Sequence, residues 1–379
     1  MLNDAETVTI LGGAGCSGAR AELLRVAERL KAPIVHALRG KEFIEYDNPY
    51  DVGMTGLLGF ASGYQAMMNC EALLVLGSDF PYQQFYPREA KIIQVDMRGE
   101  QIGRRTRVDV GVVGTVKESL DALLPLLEDK SDQHHLDACL KHYAHVRTGL
   151  DELAAGSPGR IPIHPQFVAK LLDELTSERA IFACDVGTPT IWASRYLRMN
   201  GKRRLLGSFN HGSMANALPQ AIGAQAAMPD RQVVTLSGDG GIAMLLGDLL
   251  TLRQLNLPVK VVVFNNGALG FVELEMKAAG WVSYGTDLVN PNFAKLAESA
   301  DIKGIRVEAP EDLRPALQTA LHHDGPCVVD VKVNRQELSM PPTIMLDQAL
   351  GFSLYMIRAI LSGRGDEIID LATTNLLPR

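Results

Sequence analysis

The amino-acid sequence predicts an α/β protein with two doubly wound parallel-sheet domains and a C-terminal amphipathic helical tail. Three observations support this fold class. Short β-branched runs alternate with helical patterns through most of the chain, which is typical of parallel sheets with helices on both faces. The predicted strands are almost continuously apolar, as strands buried on both faces are. After Pro341 and Pro342 the alternation stops, and a tail of different character begins.

The bulk composition limits the classes of protein that this chain can represent. Its 379 residues exceed the usual size of one domain, and 46% hydrophobic with 21% charged residues is typical of soluble proteins with sizeable cores. The net charge of −7 argues against a nucleic-acid partner. Five cysteines without a CxxC pair indicate reduced thiols. Because we find neither a signal peptide nor an apolar run of ~18 residues, we expect a cytoplasmic protein.

The first domain is predicted over residues 1–140. Its strands are expected at residues 7–11, 71–76 and 91–96, and a helix over about 116–128 closes this block. A polar, strand-poor stretch over residues 129–165 contains a charged helix, and we interpret it as an interdomain linker.

The second domain is predicted over residues 141–336. Its strands are expected at residues 180–185, 232–237, 259–265 and 327–333. Residues 337–379 form the predicted tail.

Two polar segments of the second domain predict a magnesium and phosphate site. Gly238-Asp-Gly-Gly241 lies between a buried strand and a helix, where glycines allow the backbone to approach a phosphate. Asp239 would repel a bare phosphate, so its presence predicts a bridging Mg²⁺ with oxygen ligands. Asn266 follows Asp239 by 27 residues, which is one strand–helix–strand step. Both loops are therefore expected at the same carboxyl edge of the sheet, where doubly wound proteins bind ligands.

This Gly-Asp-Gly segment, followed by Asn265-Asn266 at this spacing, resembles the signature of thiamine-diphosphate enzymes. The resemblance implies that Asp239, the Asn266 side chain and the Ala268 carbonyl hold Mg²⁺. It also implies that Met214 is the bulky apolar residue that bends the cofactor. An ordinary strand–turn–helix and a core methionine are the alternatives. The residues implied to contact thiamine diphosphate are Gly212, Ser213, Met214, Asp239, Gly240, Gly241, Asn266, Gly267, Ala268, Leu269, Gly270, Phe271 and Val272.

A closer resemblance covers the whole chain. Segments 209–216, 265–271 and 351–356 look like those of the bacterial quinone-dependent pyruvate dehydrogenases, also called pyruvate oxidases. This resemblance implies an oxidoreductase that decarboxylates pyruvate to acetate and CO₂, with electrons passing through FAD to ubiquinone. Phe271 would be the catalytic aromatic residue between thiamine and flavin, and plain packing is the alternative.

The first domain is then implied to bind FAD. Residues 13–18 match GxGxxG, a weak signal by itself, and the lack of an acid after the strand at Pro33–His36 disfavours a nicotinamide cofactor. Arg98 stands where the family favours asparagine, and a surface turn is the alternative for each position. The implied FAD contacts are Leu57, Leu58, Gly59, Phe60, Phe80, Pro81, Tyr82, Gln83, Gln84, Asp96 and Arg98.

Thiamine also needs a carboxylate that hydrogen-bonds its pyrimidine ring. The resemblance implies that this glutamate belongs to an N-terminal domain and acts from the neighbouring subunit of a homo-oligomer, a tetramer by resemblance. No segment of the 379 residues matches that domain. We therefore expect the isolated chain not to turn over pyruvate.

The predicted tail has apolar residues at positions 346, 350, 354, 357 and 361, a helical spacing. Such a helix suits either a membrane interface or the protein's own core. The resemblance implies the former, with lipid as partner and a peripheral location on the inner face of the cell membrane. An acetolactate-synthase-like carboligase and a non-catalytic cofactor-binding remnant are the alternative functions.

Overall fold

A computed structural model of the protein describes residues 1–156, 158–337, 346–362 and 364–376. The chain divides into two compact units. The first contains Met1–Leu150 and Arg198–Gly201, and the second contains Asp151–Leu197, residues 202–337 and the C-terminal helices. Each unit contains a six-stranded, entirely parallel sheet within the described residues, so the predicted α/β class is confirmed. The flavin assignment of the first domain and the membrane role of the tail stay predictions.

The sheet of the first unit has the strand order β3-β2-β1-β4-β5-β6. Its strands are β1 (Val8–Gly12), β2 (Ile34–His36), β3 (Asp51–Met54), β4 (Ala72–Leu76), β5 (Lys91–Asp96) and β6 (Val110–Val113). Its helices are α1 (Arg20–Leu30), α2 (Lys41–Ile44), α3 (Ala61–Met68), α4 (Val116–Leu123) and α5 (His134–Leu153).

Strands β1 to β5 of this sheet are almost entirely buried, whereas every residue of the edge strand β6 is exposed. Ile10 of β1 packs with Leu23 of α1 on one face, whereas the next residue, Leu11, packs with Met67 of α3 on the other. Helix α5 lies in the stretch that we expected to be a linker, but its Tyr143 ring packs 6.0 Å from the Phe60 ring. This helix therefore contributes to the first unit.

The sheet of the second unit has the strand order β11-β12-β10-β9-β7-β8. Its strands are β7 (Ile181–Cys184), β8 (Arg204–Leu206), β9 (Val233–Gly238), β10 (Lys260–Asn265), β11 (Lys303–Val307) and β12 (Cys327–Lys332). The helices are α6 (Pro165–Leu175), α7 (Thr188–Tyr196), α8 (Ala217–Ala227), α9 (Asp239–Met244), α10 (Asp248–Gln254), α11 (Gly270–Ala278), α12 (Phe293–Glu298), α13 (Pro310–Leu321), α14 (Leu346–Leu361) and α15 (Gly365–Leu376).

The register of the central strands brings two site loops to one edge. Strand β10 pairs with β9 so that Phe264 lies opposite Gly238, and the loops that follow these strands therefore emerge side by side. Val261 and Val263 of β10 are fully buried in the core under Phe293 of α12. This packing fixes the end of β10 from which the Asn265-Asn266 loop departs.

Helix α14 packs against α11 through a close backbone approach. A Cβ atom on Gly351 would lie 2.0 Å from the Ala278 carbonyl oxygen, and Tyr355 is completely buried. The opposite surface of α14 is apolar and exposed, with Ile357 56% and Leu361 81% accessible. Pro341 and Pro342 and the side chain at position 346 lie outside the described residues. No described helix is long and apolar enough to cross a membrane.

The five cysteines are unpaired, and four of them are buried. Burial raises the pKa of the thiols of Cys16, Cys70 and Cys184 to about 12. The same effect raises the pKa of Cys139 and of Cys327 to about 11. All five thiols are therefore protonated at neutral pH.

Candidate active site

A cavity of about 220 Å³ lies at the carboxyl edge of the second sheet. The loops that follow β7, β9 and β10 form its walls, together with the segment around Met214 and the start of α11. Eleven of the thirteen residues predicted to contact thiamine diphosphate line it, and Ser213 and Gly267 are the two that do not. The structure therefore brings the predicted site residues together around one space.

Asp239 is the buried carboxylate at the centre of this site, and it is 2% exposed. Its Oδ1 accepts a hydrogen bond from the Gly240 N–H at 2.9 Å, and its Oδ2 accepts one from the Gly267 N–H at 2.7 Å. Asn290 also donates to Oδ2, at 2.7 Å. Burial raises the pKa of Asp239, and these donors oppose that shift. The Gly267 bond joins the two predicted loops directly.

The loop after β10 turns sharply at Asn266. The Asn266 Oδ1 accepts the Ala268 N–H at 3.0 Å, and Gly267 adopts a left-handed conformation with φ 71°. A second segment braces this turn, because the Leu288 N–H donates to the Gly267 carbonyl and the Leu269 N–H donates to the Thr286 carbonyl. The turn therefore holds Asn266 and Ala268 beside Asp239.

The chemistry of these groups fits a magnesium ion. A carboxylate, an amide oxygen and a backbone carbonyl are the hard oxygen ligands that Mg²⁺ prefers. Among the described residues no cluster of three or more His, Cys, Asp or Glu side chains could hold a metal, so the candidate depends on this mixed set.

Gly240 lines the cavity where three apolar side chains approach its backbone closely. A Cβ atom on Gly240 would lie 3.0 Å from the Leu269 side chain, 3.2 Å from the Leu288 side chain and 3.3 Å from Met214 Cε. The glycine therefore lets these side chains pack against the loop, and a side chain at position 240 would have to displace them.

Asp185 is a site residue that the sequence analysis did not identify. It follows β7 directly, is 2% exposed and lines the cavity. Its Oδ1 accepts the Ala217 N–H at 2.9 Å, and its Oδ2 accepts the Gly238 N–H at 3.1 Å. Burial raises the pKa of this carboxyl group to about 6. Its position at the end of a buried strand, on the ligand-binding edge, was the available signal.

Helix α11 supplies the outer wall. Phe271 and Val272 line the cavity from its first turn, and Val272 is 45% exposed. Glu275, one turn later, also lines the cavity and was not among the predicted residues. The wall therefore combines apolar side chains with one carboxylate.

The predicted FAD residues lie in the first unit. The loop before α3 contacts the loop after β4, since a Cβ atom on Gly56 would lie 3.1 Å from the Phe80 ring and 3.2 Å from the Tyr82 ring. Phe60 and Phe80 are buried in the core, whereas Leu57 is 42% exposed. These two predicted segments thus come together at one edge of the sheet.

Asp96 and Arg98 contact each other at the end of β5. Asp96 accepts the Arg98 N–H at 2.9 Å. The glycine-rich loop of residues 13–18 has a structural explanation, because a Cβ atom on Gly15 would lie 2.6 Å from the Gly77 Cα. Its glycines allow two segments of the protein's own backbone to cross.

Two family models match the chain. The thiamine pyrophosphate enzyme central domain matches residues 1–123, and the C-terminal thiamine pyrophosphate-binding domain matches residues 185–331. The second match covers every loop of the cavity. The chain belongs to the thiamine pyrophosphate enzymes.

Similar proteins of this thiamine pyrophosphate enzyme family carry two kinds of name. YdaP of Bacillus subtilis, named as a thiamine pyrophosphate-containing protein, is 37% identical over 372 residues, which are 98% of this chain and 64% of that protein. The acetolactate synthase large subunit of Parasynechococcus marenigrum is 33% identical over 340 residues, 87% of this chain and 54% of the relative. The chloroplastic acetolactate synthase of Arabidopsis thaliana is 31% identical over 356 residues, 90% of this chain and 53% of the relative. The chain thus spans 53–64% of the lengths of these relatives.

Proposed function

We propose that this chain is the cofactor-binding part of a carboligase that acts on 2-oxo acids in the manner of acetolactate synthase. In this reaction one pyruvate loses CO₂, and its two-carbon fragment is joined to the carbonyl carbon of a second 2-oxo acid. No external oxidant is required. The observation that carries the proposal is the set of oxygen atoms on Asp239, Asn266 and Ala268, which line one cavity at the carboxyl edge of the sheet.

The residues of the cavity have distinct parts in this proposal. Asp239, Asn266 and Ala268 would hold Mg²⁺, and the cavity beside them would receive the diphosphate. When bound, thiamine diphosphate supplies the nucleophilic carbon that attacks the substrate carbonyl. Met214, which lines the same cavity, would lie against the rings of the cofactor.

The outer wall orients the substrate. Phe271 and Val272 present apolar surface from α11, which excludes water from the reacting carbonyl. Glu275 is the charged group on this wall, and as a carboxylate it would accept a hydrogen bond from the hydroxyl group of the product.

The relatives favour carboligation over the oxidation that the sequence resemblance implied. Several of the similar proteins are named acetolactate synthases, and none of those reported above is named for a quinone or for pyruvate oxidation. In such a carboligase FAD would be a structural ligand of the first unit, and its contacts at residues 57–60 and 80–84 stay part of the proposal.

A product assay tests the proposal. The chain is supplied with Mg²⁺, thiamine diphosphate, FAD and pyruvate, together with a pyrimidine-binding domain of this enzyme family fused to it or added separately. We expect acetolactate to form without an electron acceptor. Acetate that forms only when ferricyanide is added would overturn carboligation. The absence of both products, with thiamine diphosphate bound, would indicate a cofactor-binding protein without this activity.

Oxidation of pyruvate with transfer of electrons through FAD to a membrane quinone is the second candidate. One observation favours it: the exposed apolar surface of α14, formed by Leu350, Leu354, Ile357, Ile360 and Leu361. A surface of this kind could lie at a lipid interface on the inner face of the membrane without a basic patch. Under this candidate the assay yields acetate in proportion to the acceptor reduced, and lipid vesicles increase quinone reduction.

A further inference from the structure

Asn290 links Asp239 to the end of a neighbouring strand. It lies 51 residues after Asp239, in the segment between α11 and α12. Its amide nitrogen donates one hydrogen bond to Asp239 Oδ2 at 2.7 Å and another to the side-chain oxygen of Asn265 at 3.0 Å. Both amide hydrogens of Asn290 are therefore directed at the base of the cavity.

The orientation of these amides is set by a buried ion pair. Asp330 is completely buried, and its Oδ2 pairs with the Arg306 guanidinium and accepts the Phe293 N–H at 3.0 Å. Its Oδ1 accepts a hydrogen bond from the Asn265 amide nitrogen at 3.0 Å. A carboxylate paired with arginine only accepts hydrogen bonds, so the amide nitrogen of Asn265 must face Asp330.

The orientation of Asn265 in turn determines the orientation of Asn290, which contacts Asp239. Because Asn265 directs its nitrogen at Asp330, its oxygen faces Asn290. Asn290 must then present its nitrogen, and the same nitrogen reaches Asp239. The Phe293 N–H bond to Asp330 also anchors the backbone three residues after Asn290. The position of the Asn290 amide nitrogen beside Asp239 is thus fixed by the Asn265 side chain and by the anchored backbone at Phe293.

We propose that Asn290 is a positioning residue that orients the Asp239 carboxylate for Mg²⁺. The inference rests on the proposed function, since it requires that Asp239 binds the ion. Hydrogen-bond partners that orient a metal ligand typically change metal affinity 10–100-fold when they are removed. Asn290 touches none of the reacting atoms, so its contribution is expected in ion binding.

The test is a magnesium titration with thiamine diphosphate at fixed concentration, followed by calorimetry. In Asn290→Ala we expect the magnesium midpoint to rise about 10–100-fold, with one cofactor still bound per chain at saturation. Asn290→Leu, which keeps most of the side-chain volume but no donor, is expected to behave in the same way and serves if the alanine variant unfolds.

Asn292→Ala is the matched control. Asn292 lies two residues further along the same segment and caps α12 by accepting the Lys295 N–H at 3.0 Å. We expect this variant to melt at a lower temperature and to keep its magnesium midpoint within about twofold of the wild type. A midpoint within twofold in both Asn290 variants, or an equal rise in Asn292→Ala, would overturn the inference. Failure of the unsubstituted chain to bind the cofactor would instead refute the proposed function.

Discussion

The Oδ2 atom of Asp185 lies so close to Gly241 that a Cβ atom there would approach it to 2.2 Å. The absence of a side chain at Gly241 therefore allows the carboxylate to reach the Gly238 N–H at 3.1 Å. Through its other oxygen the same carboxylate holds the first residue of α8, Ala217. One aspartate thus sets the relative positions of two loops that line the cavity.

Gly241→Ala should lower the affinity for thiamine diphosphate by at least about tenfold. The added methyl group must displace Asp185, and each buried N–H left without its acceptor costs about 1–3 kcal/mol. Calorimetry in the presence of Mg²⁺ measures the change. Gly247→Ala is the control, because a Cβ atom at Gly247 meets no atom within 4 Å. Equal affinities in the two variants would show that the Asp185 contact does not shape the cavity.

Asp239→Ala should abolish magnesium-dependent binding of thiamine diphosphate while the fold is retained. The Asp239 carboxylate is costly to bury, and among the described residues it forms no ion pair with a basic side chain. Its removal should therefore leave the fold intact. Calorimetry measures binding, and circular dichroism checks the fold. Asp248→Ala, nine residues further along the chain, is expected to bind normally. Unchanged affinity in Asp239→Ala would remove the magnesium assignment.

A buried pair in the first unit predicts a pH-dependent stability. His36 Nε2 lies 3.6 Å from Asp51 Oδ1, and Lys41, Glu45 and Tyr143 surround them. Burial lowers the pKa of His36 to about 4 and raises the pKa of Asp51 to about 8. The ordinary pKa values are 6.5 and 3.8. Between pH 6.5 and 8 the folded pair therefore keeps one proton that the unfolded chain has lost.

Since the folded state binds the extra proton, the free energy of unfolding should fall as the pH rises through this window. The expected decrease is about 1 kcal/mol between pH 6.5 and 8. Urea unfolding at several pH values measures it. Asp51→Asn should remove the decrease, and Glu128→Gln, at an exposed position, should retain it. A decrease that persists in Asp51→Asn would place the titrating group elsewhere.

Replacing Ile357 and Ile360 with serine tests the lipid hypothesis for α14. These side chains are 56% and 60% exposed, so their loss should leave the helix packed on α11. A deletion of the tail is less informative, because it also removes the buried Tyr355. If α14 binds lipid, its affinity for vesicles in a sedimentation assay should fall at least about 100-fold, since each buried isoleucine contributes about 1.5–3 kcal/mol.

The control for this experiment replaces an exposed apolar residue of the first unit, Leu126→Ser, which should not change sedimentation. A parent chain that does not sediment with vesicles at all, or a double variant that sediments equally, would contradict the lipid hypothesis.

The sequence was most informative where function depends on local spacing. The distance between Asp239 and Asn266 matches one strand–helix–strand step, and parallel pairing of β9 with β10 places both at one edge. The apolar strands likewise predicted sheets covered on both faces. These features follow from neighbouring residues along the chain and from general rules of parallel sheets.

Features that depend on distant partners were not predictable in the same way. Asn290 contacts Asp239, 51 residues earlier, and Asp185 contacts Ala217, 32 residues later. Neither residue lies in a recognisable motif. The glycine pattern at residues 13–18 suggested a phosphate loop, although Gly15 is required by contact with Gly77, 62 residues later. The spacing of glycines within one segment does not show whether a ligand or a second backbone segment lies against them.

The buried, protonated thiols can be used to detect local opening of the structure. Only a thiolate reacts rapidly with an alkylating reagent, so a cysteine held as a buried thiol stays silent until the surrounding structure unfolds. The buried Cys16 and Cys70 belong to the first unit, and the buried Cys184 and Cys327 belong to the second. Mass spectrometry of the alkylated peptides would therefore time the opening of each half of the molecule separately. Cys184, the last residue of β7, directly precedes Asp185 and would report on local opening beside the cavity.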